Sequence, residues 1–160
     1  MQEIFCFFSK NILNLLKKNL KGQTIEIINQ IEEIRIRSNG TVELRYRDRS
    51  YVLSDRIKYE DILETLQIIC ENSIYSYQNE ICNGYITVKG GHRVGISGNC
   101  VIEMGKVINI KYISSLNFRI ARQVIGCSNK ILRYVLDLKN NTIYNTLIIS
   151  PPGVRKNYDS

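Results

Sequence analysis

The sequence predicts an α+β fold: an N-terminal helix, a small mixed or antiparallel sheet with two central helices, and a β-meander. Some segments alternate apolar and polar residues, others repeat apolar residues every three or four positions, and they follow the order strands, helices, strands, helix, strand. With 160 residues, 44% of them hydrophobic, the chain can bury a domain core. We expect this domain to span residues 1–140, and a final strand in residues 141–160 to belong to another.

The first half of the chain predicts a helix, three strands and two further helices. Apolar residues recur on one face of a helix over residues 9–20. The segments "EIRIRS", "TVELRYR" and "SYVLS" alternate as strands do, and Asn39-Gly40 permits the positive φ angles of a tight hairpin. Helical spacing then returns over residues 59–72 and, more briefly, 74–82.

The second half predicts a β-meander followed by a helix and a strand. Its strands are "YITV", "VGISGNCVI" and "KVINIKYISSL", with turns at Gly90-Gly91 and Met104-Gly105, and "NFRIAR" continues the last of them. A short helix is predicted over residues 129–138. The segment "TLIIS" then has the pattern of a buried strand.

Charge is distributed unevenly along the chain. Residues 1–80 contain 11 Lys and Arg against 12 Asp and Glu, a net charge of −1. Residues 81–160 contain 11 Lys and Arg against 3 Asp and Glu, a net charge of +8. A basic half of this kind attracts phosphate in nucleic acid, anionic lipid or nucleotides, and charge alone does not distinguish these partners.

The cysteines indicate neither a disulfide framework nor a metal site. They are odd in number, contain no Cys-x-x-Cys pair and are accompanied by a single histidine, so we expect no bound metal. Reduced thiols in a cytoplasmic protein are the simplest interpretation. The five cysteines are Cys6, Cys70, Cys82, Cys100 and Cys127.

The C-terminal segment "LIISPPGVRKNYDS" partly matches a phosphate-binding loop. That loop requires Gly-x-x-x-x-Gly-Lys-Ser/Thr directly after a buried strand, because its backbone N–H groups surround the phosphates and its hydroxyl holds Mg²⁺. The residues that align with a degenerate, nucleotide-binding form of the loop are Ser150, Pro151, Pro152, Gly153 and Lys156.

Two departures from this pattern affect activity. Arg155 stands where the second glycine is needed, and its side chain would prevent the loop backbone from closing around the phosphates. Asn157 replaces the Mg²⁺-binding hydroxyl, and no acidic Walker B strand follows in the sequence. We therefore expect no catalytic residue and no ATP hydrolysis from the chain itself.

Four segments together resemble the stage III sporulation protein AA family over residues 25–153. They are "EIRIRSNGTVEL", "NGYITVKGGHRVGISG", "ISSLNFRIAR" and "TLIISPPG". The family's members are P-loop ATPases related to type II and type IV secretion ATPases. The resemblance implies an N-terminal domain followed by the first strand of an incomplete RecA-like domain, truncated within the Walker A loop. One choice of codons for residues 154–160 restores Gly-Lys-Thr in the next reading frame, which suggests a frameshift.

The resemblance also implies cofactors, partners and location. Intact family members use ATP and Mg²⁺, and we expect neither cofactor for this chain. They form a hexamer that works with membrane-embedded sporulation channel proteins and powers a channel between mother cell and forespore. The implied location is cytoplasmic, at the inner face of the mother-cell membrane.

The segment "GGHRVGISG" predicts a hairpin turn and an interface strand, not a catalytic loop. Gly90 and Gly91 suit a tight turn, and Gly95 and Gly98 suit bulges or close strand contacts. His92 has no nearby nucleophile, acid or metal partner in the sequence, so we interpret it as a surface or interface residue.

Three arginines in the basic half are the candidate phosphate and interface contacts. By resemblance, the N-terminal domain of a secretion ATPase lies over the nucleotide site and its basic strand residues approach the phosphates across a subunit boundary. Arg93, Arg119 and Arg122 are the matching positions, and a guanidinium suits phosphate oxygens. A solvated face, or structural pairing with Glu80 or Glu103, remains an open alternative.

Three functions are therefore compatible with the sequence. The first is an assembly and regulatory domain of a hexameric ATPase. The second is a free-standing basic module that binds nucleic acid, although the sequence has no basic–aromatic RNP motif and we do not expect a nucleic-acid partner. The third is a membrane-peripheral scaffold that acts through the first helix.

Overall fold

The computed structural model describes residues 2–46, 49–122, 126, 129–137, 139–147 and 149. It divides into two compact units, Met1–Ala121 and Arg122–Ser160. All five residues of the degenerate phosphate loop, Ser150, Pro151, Pro152, Gly153 and Lys156, lie outside the described residues.

The first unit is built on a six-stranded sheet in which every neighbouring pair is antiparallel. The predicted α+β class is confirmed, and of the two predicted sheet types the antiparallel one is formed. The spatial order of the strands is β3-β2-β1-β6-β5-β4. Their bounds are β1 Glu33–Arg37, β2 Thr41–Arg45, β3 Ser50–Arg56, β4 Tyr85–Val88, β5 His92–Glu103 and β6 Lys106–Arg119.

In the described residues of this unit, four α-helices and two 3-10 helices accompany the sheet. The α-helices are α1 Lys10–Leu20, α2 Ile25–Ile28, α3 Tyr59–Ile69 and α4 Gln78–Cys82. The 3-10 helices are Gln2–Phe7 and Ile74–Tyr77. The second predicted central helix is therefore one turn of 3-10 helix continued by α4.

Helix α1 begins and ends where its sequence provides terminating groups. The Ser9 hydroxyl accepts a hydrogen bond from the Ile12 N–H at 3.4 Å, and the Ser9 N–H donates to Thr65 Oγ1 on α3 at 3.0 Å. Side-chain acceptors of this kind satisfy N–H groups that the first helical turn leaves unpaired. After the helix, Gly22 has φ +85°, which lets the chain turn away.

The apolar face of α1 belongs to the hydrophobic core of this unit. Ile12, Leu16 and Leu20 are buried in the same cluster as the sheet's inner face. Just before the helix, the Phe8 ring lies 4.4 Å from the Phe118 ring of β6, measured between centroids. Because these side chains already pack inside the protein, α1 does not offer its apolar face to a membrane, and membrane contact through its lysines stays a prediction.

The two longest strands extend beyond the rest of the sheet. Strand β1 pairs with residues 115–119 of β6, and β4 pairs with residues 92–95 of β5. From residue 99 to 112, the described part of the chain pairs β5 and β6 only with each other. We call residues 99–112 the hairpin arm. Strand β6 ends at Arg119, so the predicted continuation through "NFRIAR" is three residues too long.

The second unit contains helix α5, Asn129–Val135, and a short pair of strands, β7 Leu136–Asp137 and β8 Thr142–Ile143. The helix ends before residue 138 because Asp137 Oδ1 accepts the Lys139 N–H at 3.1 Å and forms a turn.

The expected buried strand "TLIIS" differs from the structure. Of its residues, Thr146, Leu147 and Ile149 are described, and none of these three is in a strand. Leu147 and Ile149 are 83% and 85% exposed. A buried strand needs hydrogen-bonding neighbours and a covered face, and the described residues of this unit supply only the β7–β8 pair.

Candidate anion-binding face of the sheet

The register of the first unit brings charged side chains from four strands into one row. Residues directly opposite each other on antiparallel strands point to the same side of a sheet. One such row crosses β2, β1, β6 and β5, and consists of Arg45, Glu33, Arg119 and Arg93. The next row along the strands points into the core, and consists of Leu44, Ile34, Phe118 and Val94. One side of the sheet is therefore apolar and the other is charged.

Five arginines of β1, β2, β5 and β6 lie on the charged side, and we call the surface that they form the arginine face. Its members are Arg35, Arg37, Arg45, Arg93 and Arg119. Sequence reasoning identified two of them and missed the three on β1 and β2, because the acidic residues of the first half hid their contribution to net charge. The signal was present in "EIRIRS", where arginines occupy alternate positions of a strand.

Two of the three arginines on β1 and β2, Arg35 and Arg45, form ion pairs with Glu33. Its carboxylate accepts a hydrogen bond from Arg35 at 2.9 Å and lies 3.7 Å from the Arg45 guanidinium. The Asn117 side-chain amide donates to the same carboxylate at 2.5 Å. Arg35 also lies 3.8 Å from Glu43 of β2. The two carboxylates Glu33 and Glu43 are thus paired with arginines of β1 and β2.

Arg93 and Arg119, by contrast, lie directly opposite each other on β5 and β6. Within the described residues, neither forms an ion pair within 4.0 Å, so the alternative pairing with Glu80 or Glu103 is not found. The Arg93 guanidinium lies 5.4 Å from the centroid of the Tyr85 ring, a cation–π contact. Like charges opposite each other destabilise a sheet, so this pair costs stability unless an anion lies between the two guanidinium groups.

Glu33 is held in its ionised form by this surface. Partial burial raises the pKa of its carboxyl, but the hydrogen bonds from Asn117 and Arg35 and the charges of Arg35 and Arg45 outweigh burial. The net result is a pKa below the ordinary value of 4.5. A lowered pKa stabilises the fold above pH 4.5, and this stabilisation is lost as the pH falls through the lowered value.

We expect Glu33→Gln to reduce the free energy of unfolding by about 1 kcal/mol at pH 7, because it removes charged hydrogen bonds on a solvated surface. The difference from the wild type should shrink as the pH falls below 4.5, where the wild-type carboxyl also becomes neutral. Urea unfolding from pH 7 to pH 3 checks this. Glu43→Gln is the matched control and should change stability less, because Glu43 makes one longer contact, at 3.8 Å. A difference in the free energy of unfolding between Glu33→Gln and the wild type that does not change with pH would contradict this prediction.

His92 is a buried residue, so its predicted surface position is wrong, and its interface role stays a prediction. Its side chain is 6% exposed, and its Nδ1 accepts a hydrogen bond from the Ala121 N–H at 3.0 Å. The side chain thus ties the start of β5 to the chain that leaves β6. His92 lies opposite Val88, which is also buried, so both occupy the core side of the β4–β5 hairpin.

The glycines of the same segment have separate roles. Gly90 and Gly91 have φ +86° and +73°, which confirms the turn between β4 and β5. Gly98 lies at a shift in the β5–β6 register, as predicted for a bulge. Gly95 is opposite Asn117 on the charged side, and leaves space there between Asn117 and Tyr85.

Arg122, the third candidate arginine, belongs to the second unit and is half-buried. The described residues contain no group of three His, Cys, Asp or Glu side chains that could hold a metal ion, and the absence of a bound metal stays a prediction. In the described part of the chain, no helix has the length and apolarity needed to cross a bilayer.

The fold and the site define an α+β domain whose antiparallel sheet has one face in the core and one open face with paired arginines. A family model described as "Sporulation stage III, protein AA" matches residues 2–158, and the chain belongs to this family. Stage III sporulation protein AA of Bacillus subtilis (strain 168) is 40% identical over 149 residues, which cover 91% of this chain and 48% of that protein. The chain therefore spans about half the length of this relative.

Among solved structures, the chain is similar to the VirB11 ATPase from the Brucella suis type IV secretion system, determined in complex with sulphate. The sequences are 16% identical, and the alignment covers 74% of this chain and 34% of that chain. The TM-score is 0.36. A similarity this low carries no argument about the chain.

Proposed function

We propose that the chain is an assembly and regulatory domain of a secretion-type ATPase, and that its arginine face approaches nucleotide phosphates at a subunit boundary. The observation that carries the proposal is the Arg93–Arg119 pair. The two residues are direct cross-strand partners on the charged side of the sheet, and neither has a carboxylate within 4.0 Å among the described residues. Paired guanidinium forks suit the oxygens of a phosphate chain.

ATP and Mg²⁺ enter this proposal as cofactors of the intact family protein. The Arg93–Arg119 pair fits the phosphate chain of ATP, because each guanidinium offers several N–H donors. The Arg93 guanidinium also contacts the Tyr85 ring. The phosphate-loop sequence does not fit, since Arg155 and Asn157 stand where glycine and a hydroxyl are needed. We therefore propose that this chain does not hydrolyse ATP and acts by docking on subunits that do.

The proposed partners follow from family membership. They are further copies in a hexameric ring and the membrane-embedded proteins of a sporulation channel between mother cell and forespore. The proposed location is the cytoplasm, at the inner face of the mother-cell membrane. Reduced cysteines, as expected from the sequence, are compatible with this location. Burial, and then Glu80, raise the pKa of the Cys70 thiol to about 11, so this thiol is unreactive.

We expect the double variant Arg93→Gln/Arg119→Gln to bind inorganic tripolyphosphate at least about tenfold more weakly than the wild type. Each arginine supplies charge-assisted hydrogen bonds worth about 1.5–3 kcal/mol, and the variant removes both sets. Isothermal titration calorimetry at low salt measures the two affinities. The glutamines keep the strand register and remove only the charge, so circular dichroism should show unchanged folding.

Arg133→Gln is the matched control, because Arg133 is an exposed arginine of α5 in the second unit. It should keep wild-type affinity. A wild type that does not bind tripolyphosphate, or a double variant that binds it equally well, would contradict the proposal.

Nucleic-acid binding is the alternative function, and the five-arginine surface favours it over any enzymatic role. The same titration distinguishes the two with oligonucleotides of increasing length. A nucleic-acid module gains affinity with each added phosphate contact and loses it steeply as salt rises. A site for one nucleotide phosphate chain binds short and long oligonucleotides equally.

A further inference from the structure

The end of the hairpin arm contains apolar side chains that the fold leaves uncovered. Met104 is fully exposed at the turn between β5 and β6, and Ile102 is 62% exposed one residue before Glu103. Ile108, on the returning strand, is 42% exposed. Exposing three neighbouring apolar side chains at the end of a projection has no benefit to the isolated domain.

Met104 is also an unfavourable residue for the turn that it occupies. Met104 and Gly105 have φ +48° and +76°, as a two-residue hairpin turn closed by Glu103 and Lys106 requires. Asparagine suits the first of these positions, whereas a long unbranched side chain with positive φ costs conformational energy. Of the other described non-glycine residues with positive φ, Asn39, Asn72 and Asn141 are asparagine, and the remaining two are Glu71 and Tyr112. The methionine is therefore less favourable in this turn than asparagine, and a function in binding would offset that cost.

The Gln78 side chain of α4 contacts the β6 strand of the arm. The Gln78 side-chain amide of α4 donates to the Ile108 carbonyl oxygen and to Asn109 Oδ1, both at 3.2 Å. These bonds attach the β6 strand of the arm to α4 at Ile108 and Asn109. Ile102 and Met104 lie beyond this attachment, at the turn end of the arm.

We propose that the end of the hairpin arm inserts into the surface of an anionic phospholipid membrane. Three apolar side chains cover far less than the about 800 Å² that each partner buries in a stable protein–protein interface. A convex apolar end needs no groove in a lipid surface, where it can enter about 5–10 Å into the headgroup and acyl boundary. Met104 and Ile102 would lie deepest.

Charge favours anionic lipid as the surface. The chain has a net charge of +7, and the arm itself contains Lys106 and Lys111 against Glu103. Lys106 is next to the turn, where its long stem can stay in the apolar layer while its ammonium group reaches lipid phosphates. Lys111 lies roughly 20 Å along the strand from Gly105, so insertion by about 10 Å leaves it within about one Debye length of the surface.

The test is flotation of the full chain with vesicles of phosphatidylcholine containing phosphatidylglycerol, compared with vesicles of phosphatidylcholine alone. We expect wild-type protein to float with the anionic vesicles and much less with the neutral ones. Met104→Asn should reduce the partition coefficient about tenfold, because it removes one buried apolar side chain. Its melting temperature should equal or exceed that of the wild type, because asparagine suits the turn.

Tyr75→Asn is the matched control, since Tyr75 is 92% exposed but lies in the 3-10 helix before α4, outside the arm. It should float as the wild type does. The proposal is overturned if wild-type protein does not float, if it floats equally with neutral vesicles, or if Met104→Asn floats unchanged. It is also overturned if Met104→Asn instead dissociates an oligomer, which would assign the end of the arm to a second copy of the chain.

Discussion

Replacing Phe118 with alanine should lower the free energy of unfolding by about 3–5 kcal/mol, the largest effect of any single side chain considered for this domain. Phe118 is completely buried on β6, with Ile34 of β1 on one side and Val94 of β5 on the other. Its ring also lies 4.4 Å from that of Phe8, so the side chain joins the N-terminal segment to the centre of the sheet. Alanine would leave a cavity bordered by all three elements.

Urea unfolding followed by circular dichroism measures this loss. Val52→Ala is the control, because Val52 is 63% exposed on the edge strand β3 and its truncation should change stability by less than about 0.5 kcal/mol. A loss of less than about 1 kcal/mol for Phe118→Ala would mean that β6 is not the central strand of the core.

The positions of most elements follow from local sequence, because local rules determine them. Alternation predicts β1, β2 and β3, and Asn39 adopts φ +55° in the turn where the sequence placed it. The pairing of β1 with β6 could not be predicted in this way, since about 80 residues separate the two strands. Only packing of the whole sheet brings Ile34 and Phe118 together, and no local sequence pattern indicates this pairing.

The site could be predicted only in part, because some of its features follow from local sequence and others from the pairing of distant strands. Arg93 and Arg119 were identified from charge and resemblance, but their direct opposition depends on the β5–β6 register, which two bulges shift. His92 shows the opposite case, in which a local signal existed and was not used. It has the same strand parity as Val94 and Ile96, both buried, so alternation alone places it in the core. Reasoning from its chemistry instead led to a surface role.

The segment "TLIIS" shows where a local pattern fails. A run of apolar residues predicts burial only if other strands exist to pair with it and cover it. The described residues of the second unit provide two strands of two residues each, and Leu147 and Ile149 remain exposed. The apolar pattern is a property of the segment, whereas burial is a property of its surroundings.

Replacing Gly98 with alanine should destabilise the domain by about 1–3 kcal/mol, because the structure has no space for a side chain there. A Cβ at Gly98 would lie 2.8 Å from Ile110 Cγ2, 2.8 Å from the Lys111 carbonyl oxygen and 3.0 Å from the Tyr112 carbonyl oxygen. The isoleucine methyl group can move, but the two carbonyl groups belong to the paired strand. Relief therefore requires β5 and β6 to separate at the base of the hairpin arm.

Gly95→Ala is the matched control on the same strand, and it separates this steric effect from a general cost of replacing glycine. A Cβ at Gly95 would meet only Asn117 atoms, at 3.7 and 3.8 Å, which are ordinary contact distances. Thermal and urea unfolding should show a clear loss for Gly98→Ala and little change for Gly95→Ala. Equal losses would mean that the close approach of β5 to β6 at Gly98 does not determine stability. Since the base of the arm would open in Gly98→Ala, its partition into anionic vesicles should also fall, although Met104 is unchanged.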